Sequence, residues 1–460
     1  MNRYYRTEAD SIGEMEVPKD AYYGVQTMRA VENFPITGHS MHPEFIRMMA
    51  LIKRAAAQVN GESGELSPER AAAITTACHE VEVGLLKSSF LVDAIQGGAG
   101  TSANMNMNEV LANRATEIMG GSRGDYSIVH PNDHVNMCQS TNDVIPTAGK
   151  MTVYSMIGPL SEALSVLIEA LHTKAEEFRD VMKMGRTQLE DAVPMRLGQS
   201  FHAYASMVAR DRERILATSR EMQVVNLGAT AIGTGLNATP YYRDHILPVL
   251  SEISGIELRE ADDLFVATEN LDGFVAVSAA VKTCAVDLSK MCNDLRLLGS
   301  GPKTGFGEIN LPPRQNGSSI MPGKVNPVIP EVVTQVAFNI VGNDTAIVMA
   351  AEAGQMELNA FEPVVFYNLF ESIETLAAAV RTLTDNCIRG ITANADRCRS
   401  LLESSVGVIT AVCPYIGYKQ AADIAKEALR TNTPIRKLLL EKNLMDEDTI
   451  AKILDPATMA

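Results

Sequence analysis

Hydrophobic residues recur at helical spacing along several long stretches of the chain. Proline is absent from four windows, residues 160–193, 195–239, 249–301 and 364–413. Proline interrupts a helix interior, and apolar residues three or four positions apart form one face of a helix. The pattern therefore predicts long helices in these windows, above all at 160–183, at 271–298 and from 364 onward.

The stretch 271–298 has so broad an apolar face that we expect its helix to be buried on most sides. A single subunit rarely buries such a helix alone, so the pattern predicts a helix bundle shared between subunits. A shorter helix is predicted to start at Ser67 and Pro68, an N-cap followed by a first-turn proline. The predicted domains are an N-terminal domain (1–140), a central helix-bundle domain (141–393) and a small C-terminal helical domain (394–460).

The composition supports a helical protein of a reducing compartment. Only 5% of the 460 residues are aromatic and there is no Trp, but there are 23 Met, which favours packed helices over an aromatic-rich β-sandwich. The seven cysteines include no CxxC pair, so we expect reduced thiols and a cytoplasmic location. The formal net charge of −16 argues against nucleic acid or an anionic membrane surface as a partner. No apolar run reaches the roughly 18 residues of a membrane helix.

Polar segments interrupt the apolar helices at five places, residues 97–109, 139–143, 185–191, 228–237 and 317–327. Each has an ordinary structural explanation, such as a helix cap, an interhelical turn or a solvated loop. The segment 139–143 precedes a helix that we predict from about residue 146. A helix N-terminus has free N–H groups and a positive dipole end, so this place also suits a carboxylate ligand.

Familiar cofactor and metal motifs do not fit these segments. Residues 228–237 are not a GxGxxG dinucleotide loop, and 317–325 departs from a phosphate-binding P-loop in the glycine spacing and at Val325, where Ser or Thr is needed. His130 and His134 are four positions apart, but Pro131 makes a regular helical pair unfavourable, so no metal site is predicted. The chain has no GxSxG nucleophile motif.

The segment 317–327, GSSIMPGKVNP, resembles the signature of the aspartase/fumarase superfamily. Further matches occur in order along nearly the whole chain: DAYYG (20–24), GAGTSANMNMNEV (98–110), HPNDHVN (130–136), QSTND (139–143), GRTQLEDAVP (185–194) and GTGLN (233–237). The resemblance implies a mainly α, three-domain fold with a central bundle of long helices shared across a homotetramer. It also implies that each active site is built from three subunits.

The resemblance further implies the reversible deamination of L-aspartate to fumarate and ammonia, a reaction on a small molecule that needs neither a metal nor an organic cofactor. It assigns Ser318 as the general base. The substrate-binding residues that it implies are Thr101, Ser140, Thr141 and Ser319 for the side-chain carboxylate, Lys324 and Asn326 for the α-carboxylate, and Asn142, Thr187 and Gln188 for the amino group.

Three alternatives to this activity stay open. The same pocket could serve a fumarate hydratase acting on L-malate, or a lyase for a substituted aspartate, and the fold could belong to a catalytically silent structural relative. The sequences at 100–102, 140–142 and 191–194 are similar to those of aspartases. Fumarases more usually have Thr-His where this chain has Thr187 and Gln188, and glutamine cannot titrate in that position.

Overall fold

The structure, a computed structural model, describes residues 4–453 and is mainly α-helical, as predicted. Its α-helices are α1 (Val25–Asn33), α2 (Pro43–Glu62), α3 (Pro68–Glu82), α4 (Thr101–Ile118), α5 (Thr141–Glu177), α6 (Leu197–Ser219), α7 (Pro240–Ser254), α8 (Leu264–Glu269), α9 (Asp272–Leu298), α10 (Val328–Glu352), α11 (Glu362–Asn386), α12 (Ala395–Ser404), α13 (Ile409–Ile416), α14 (Tyr418–Thr431), α15 (Ile435–Glu441) and α16 (Glu447–Ile453).

The strands of these residues form small two-stranded sheets. Three pairs are antiparallel: β1 (Tyr5–Asp10) with β2 (Gly13–Pro18), β3 (Met182–Thr187) with β4 (Glu190–Arg196), and β7 (Ile309–Asn310) with β8 (Thr392–Ala393). The pair β5 (Val224–Val225) and β6 (Arg259–Glu260) is parallel. Such short sheets shape local turns and cannot form a core of their own.

The chain forms two compact units. The first comprises residues 4–161, 213–283 and 338–375, and the second comprises residues 162–212, 284–337 and 376–453. Because long helices such as α5, α9 and α11 have residues in both units, this division does not follow the three predicted domains, and those domain boundaries stay a prediction.

In the first unit, α2 packs against α3 and α7. Its buried face includes Met48, Met49 and Ile52, each at most 1% exposed. The predicted start of α3 is confirmed, because Ser67 Oγ accepts a hydrogen bond from Arg70 N at 3.4 Å and the helix begins at the following proline. The first unit therefore has a helical core, of which the sequence predicted the start of α3.

In the second unit, the C-terminal helices have an apolar cluster of their own. The buried side chains of this cluster include Leu402 on α12, Val412 on α13, Ile424 on α14 and Leu439 on α15. Met184 on β3 is also part of it, at 1% exposed. The hairpin β3–β4 is thereby anchored at its base to the C-terminal helices.

Two of the predicted long helices are confirmed. Helix α9 spans the predicted stretch almost to the residue, and its predicted apolar residues are buried except Val275, which is half-buried. Helix α11 buries every residue of its predicted face: Val365, Leu369, Ile373, Leu376, Ala379, Val380 and Leu383. Uninterrupted 3.6-residue periodicity was thus sufficient to locate both helices.

The helix predicted from residue 160 was wrong in its bounds. It is part of α5, which begins at Thr141, ends at Glu177 and contains both Pro146 and Pro159. Pro146 has no N–H for the carbonyl of Asn142, but Asn226 Nδ2 donates to that carbonyl at 3.0 Å. A side chain distant in sequence therefore supplies the hydrogen bond that Pro146 removes, so Pro146 does not end the helix.

Helices α5 and α10 are long and apolar enough, by length and composition, to span a membrane. Core helices of soluble proteins pass the same test, and half of the most apolar window of α5 is buried inside the structure. In α10 only a third of that window is buried. Polar residues interrupt both helices, so neither contains an unbroken apolar run of about 18 residues.

A pH dependence of stability is predicted at the start of α11. Burial raises the pKa of Glu362 from 4.5 to about 8, and the charge of Lys150 opposes this rise. Since the folded chain holds this proton more tightly than the unfolded chain, the contribution to stability is fully present below about pH 4.5 and is lost as the pH rises toward about 8. We expect Glu362→Gln to remove this dependence. The melting temperature of the wild type should therefore fall relative to that of Glu362→Gln as the pH rises from about 4.5 toward about 8, whereas parallel profiles would contradict the assignment.

Candidate active site

Ser140, Thr141 and Asn142 lie at the N-terminus of α5 in a reciprocal helix cap. Ser140 Oγ accepts a hydrogen bond from Asn142 N at 3.2 Å, and Asp143 Oδ1 accepts one from Ser140 N at 2.9 Å. This capping box pairs N–H groups that a helix start otherwise leaves unpaired. It also explains why α5 starts at Thr141 rather than near residue 146, as predicted. The cap and the candidate binding segment are therefore the same residues.

Thr101 is the first residue of α4, and a close backbone approach places it beside the start of α5. Gly100 has a φ of +82°, and a Cβ at this position would lie 2.8 Å from Ile145 Cγ2, so glycine is required here. One turn along α4, Asn104 Nδ2 donates to Thr141 Oγ1 at 3.2 Å. The structure thus brings two predicted groups of site residues together at two helix N-termini, whose N–H groups and dipoles favour a carboxylate.

The glycine-containing segment 228–237 is also attached to the start of α5. Gly228 N and Thr230 N donate to Asp143 Oδ2 at 3.1 and 3.0 Å. Asn142 Nδ2 donates to Ala231 O at 2.7 Å, so the amide oxygen of Asn142 is the atom suited to accept a bond from a substrate amino group. The N–H groups of this segment therefore serve a carboxylate of the chain and not the phosphates of a dinucleotide.

Thr187 and Gln188 lie at the tip of the hairpin β3–β4, where the sequence favoured a turn between two helices. Gln188 and Leu189 form the two-residue turn, with φ values of +56° and +69°. Two consecutive positive φ values match the twist of a hairpin turn, although neither residue is the usual Asn or Gly. Because Thr187 and Gln188 are both exposed, this turn presents them to solvent in the single chain.

A buried charge cluster fixes the base of this hairpin. The carboxylate of Glu308 is fully buried and forms ion pairs with Arg186 Nη1 at 2.9 Å and Lys183 Nζ at 3.3 Å. The guanidinium of Arg186 lies over the Phe306 ring, 4.2 Å from its centroid. One charge-assisted hydrogen bond, from Arg186, and one ion pair, with Lys183, thereby hold the hairpin directly before the predicted site residues.

Ser318, Ser319, Lys324 and Asn326 lie on one loop before α10. The loop is closed on itself, because Gly317 N donates to Lys324 O and Asn326 Nδ2 donates to Gly317 O, each at 2.8 Å. A Cβ at Gly317 would lie 2.7 Å from both Asn326 N and Lys324 O, so only glycine fits. These backbone contacts give the loop a defined shape.

Ser318 occupies a distinctive position within this loop. Its Oγ accepts hydrogen bonds from Ile320 N at 3.2 Å and Met321 N at 3.0 Å. Ser318 is half-buried, whereas Ser319 and Lys324 are exposed. Two N–H donors stabilise negative charge on a hydroxyl oxygen, which is the property that a serine base requires.

The paired histidines His130 and His134 have structural partners. His130 Nδ1 accepts from Asn132 N and Asp133 N at 3.2 and 3.1 Å, and His134 Nδ1 accepts from His130 N at 2.8 Å. They lie in and just before one turn of π-helix, Pro131–Val135, rather than on a regular α-helix. Among residues 4–453, no group of three or more His, Cys, Asp or Glu side chains is arranged to hold a metal ion.

Sequence reasoning assigned no role to Lys53, which is fully buried in α2. Its ammonium group donates to Gln139 Oε1, immediately before the capping segment, and to Asn136 Oδ1, both at 2.9 Å. Burial lowers the pKa of Lys53 to about 7, and burial raises the pKa of Asp143 to about 6, while each charge opposes the shift of the other. A lysine within the apolar stretch ALIKRAAA was the one sequence signal that could have pointed to it.

Two family models match the chain. A model described as "Lyase" matches residues 13–342, and one described as "Fumarase C C-terminus" matches residues 408–460. The chain belongs to the aspartase/fumarase superfamily of lyases. Similar members of this superfamily include the aspartate ammonia-lyases of Bacillus sp. and Pseudomonas aeruginosa, both 51% identical. The alignments cover 100% and 99% of this chain and 98% and 96% of the relatives.

Solved structures of the superfamily have the same fold. A fumarate lyase:delta crystallin from Brucella melitensis, bound to cobalt, superposes with a TM-score of 0.95 at 48% identity over 98% of both chains. A class II fumarase from Schistosoma mansoni superposes with a TM-score of 0.96 at 34% identity over 99% of both chains. The likeness to both confirms the predicted fold class.

Proposed function

We propose that this lyase is an aspartate ammonia-lyase, a carbon–nitrogen lyase that converts L-aspartate reversibly to fumarate and ammonia. The observation that carries this proposal is the full-length identity of about half to aspartate ammonia-lyases of several bacteria. The class II fumarase, which represents the rival hydratase, is only 34% identical. The helix N-termini at Thr101 and Thr141 supply the anion-binding geometry that a dicarboxylate substrate requires.

The difficult step of this reaction is removal of a weakly acidic C–H proton beside the side-chain carboxylate. The electron pair that is left behind moves onto that carboxylate, which becomes an enediolate with two negative charges. Neutral hydroxyl donors that tighten as this charge develops stabilise the transition state more than the substrate. We assign this role to Thr101, Ser140, Thr141 and Ser319, with the N-termini of α4 and α5 adding their N–H groups.

The rest of the substrate has its own partners in this proposal. Lys324 pairs its ammonium group with the α-carboxylate, and Asn326 donates to the same group. Asn142, Thr187 and Gln188 hold the amino group through oxygen acceptors. Gln188 cannot take up a proton, so it positions the leaving amine without acting as an acid or base.

Ser318 is the base in this mechanism. As an alkoxide, stabilised by Ile320 N, Met321 N and the positive charge of Lys324 on the same loop, its Oγ takes the C–H proton. The enediolate then collapses, its electron pair forms the carbon–carbon double bond, and the C–N bond breaks on the opposite face to release ammonia. This sequence of steps is an anti-elimination and requires no electron acceptor.

We propose a cytoplasmic homotetramer in which each site combines residue groups from three subunits. Helix α10 has an exposed apolar face. Phe338 is 68% exposed and Met349 is 67% exposed, and Val332, Val341 and Val348 are exposed as well. An apolar face of this kind is unfavourable in water and is typical of an interface with another chain. The three residue groups lie on separate elements, namely the two helix N-termini, the hairpin tip and the 317–327 loop. Six of the seven cysteines are buried and none forms a disulfide bond, which suits a reducing compartment.

The substrate assignment is tested with the purified protein and two substrates. We expect fumarate, followed by its ultraviolet absorbance, to form from L-aspartate at a kcat/KM at least about a hundredfold above that from L-malate. Preferential turnover of L-malate would establish the hydratase instead, and inactivity on both would favour a silent structural relative.

The base assignment is tested by Ser318→Ala. We expect kcat for L-aspartate to fall by about a hundredfold or more, because general-base catalysis contributes about that much, with fold and assembly intact. Ser251→Ala is a matched control, since Ser251 Oγ also accepts a backbone N–H, from Leu258 at 3.0 Å, far from the loop in sequence. The control should retain wild-type turnover. Near-normal turnover by Ser318→Ala would show that another group is the base.

A further inference from the structure

Two charged side chains of opposite sign, Lys53 and Asp143, are completely buried in the first unit. The proposed reaction assigns them no contact with the substrate. Burying an isolated charge is costly, so such groups persist only where paired charges and hydrogen bonds compensate. The hydrogen-bond partners of Lys53 and Asp143 therefore indicate which segments the two charges stabilise.

Asp143 links the start of α5 to the segment 228–237. One carboxylate oxygen accepts from Ser140 N, and the other accepts from Gly228 N and Thr230 N. Three backbone donors on one carboxylate fix its position in the helix cap. The backbone of Ser140 cannot rotate away from this position without breaking the first of these bonds.

Lys53 reaches the same segment from α2 through side chains. It donates to Gln139 Oε1 and Asn136 Oδ1, and Asn136 Nδ2 donates to Gln139 O at 3.2 Å. Asn136 Oδ1 also accepts from Asn104 Nδ2 at 3.2 Å, and Asn104 Nδ2 in turn contacts Thr141 Oγ1 at 3.2 Å. A continuous set of hydrogen bonds therefore leads from the buried ammonium to a hydroxyl at the start of α5.

The network joins four polar segments that are far apart in sequence. Asn104 belongs to the segment 97–109 and Asn136 to the segment 130–136, and these two side chains are hydrogen-bonded to each other. Asp143 belongs to the segment 139–143 and accepts a hydrogen bond from Gly228 of the segment 228–237. Burial shifts the pKa of Lys53 downward and that of Asp143 upward, and each opposes the shift of its partner. Each charge therefore lowers the cost of burying the other, in addition to the hydrogen bonds that each one makes.

We infer that Lys53 and Asp143 are positioning residues that hold the hydroxyls of Ser140 and Thr141 in the orientation required by the developing enediolate. This inference rests on the proposed aspartate ammonia-lyase function. Because those hydroxyls act mainly on the transition state, displacing them lowers kcat more than it raises KM. A purely structural role would instead lower stability and leave the kcat of the folded enzyme unchanged.

The test is steady-state turnover of L-aspartate by Lys53→Met in the full-length assembled protein. We expect kcat to fall by about tenfold to a thousandfold, while KM changes by less than about threefold, because misplaced donors lose catalysis steeply. Lys174→Met is a matched control. Lys174 is also buried on its helix, α5, and makes two hydrogen bonds, to Glu177 Oε2 at 2.6 Å and Ile391 O at 2.9 Å. This control should lose stability but keep kcat within about twofold.

Asp143→Asn keeps the test decisive where Lys53→Met does not fold. The amide is isosteric with the carboxylate, but its NH₂ group accepts no hydrogen bond. In either orientation of the amide at least one of the three backbone donors therefore loses its acceptor, so we expect the same loss of kcat. Wild-type kcat in either folded variant, or a loss no greater than that of Lys174→Met, would overturn the inference. The unmutated protein is assayed alongside. If it does not turn over L-aspartate, the proposed function itself is contradicted; if it does, the variants test only the positioning role of Lys53 and Asp143.

Discussion

A fully buried carboxylate, that of Asp143, accepts backbone N–H groups from two separate segments and so fixes the N-terminus of α5. Most of the candidate carboxylate site follows from this constraint. The start of α5 faces the start of α4 because Gly100 allows contact with Ile145. Two helix N-termini, with their positive dipole ends and hydroxyl-bearing residues, are thereby brought to one place.

A net charge of −16 would by itself disfavour an anionic ligand. An acidic protein can bind a dianion when the attraction is local, through helix N-termini, neutral hydroxyls and one lysine, Lys324. Neutral donors have a further advantage for an elimination. They bind the ground-state carboxylate moderately and the enediolate more strongly, and that difference is what accelerates the reaction.

The periodicity of apolar residues and local capping signals predicted those elements of the fold that depend on nearby residues. Helices α9 and α11 and the cap at Ser67 follow from patterns within a few turns of chain. The start of α5 was misplaced because Pro146 is compensated by Asn226, a residue 80 positions later. The hairpin β3–β4, which has Gln188 at its tip, was not predicted. Its turn needs positive φ values at Gln188 and Leu189, and these residue types do not indicate such values in a sequence. The residues of the candidate site came from resemblance, whereas Lys53 required the structure, since its partners are distant in sequence.

The proposed homotetramer requires that different subunits supply the three residue groups of each active site. Subunit complementation measures this directly: Thr141→Ala and Ser318→Ala chains, each inactive alone, are co-expressed with different tags, and hybrid tetramers are purified through both tags. With sites shared between subunits, we expect fumarate formation from L-aspartate to return to about a quarter of the wild-type rate, because random mixing places both intact residues in about that share of sites. Hybrid tetramers that stay inactive would contradict it, because a site within one chain cannot be restored by mixing.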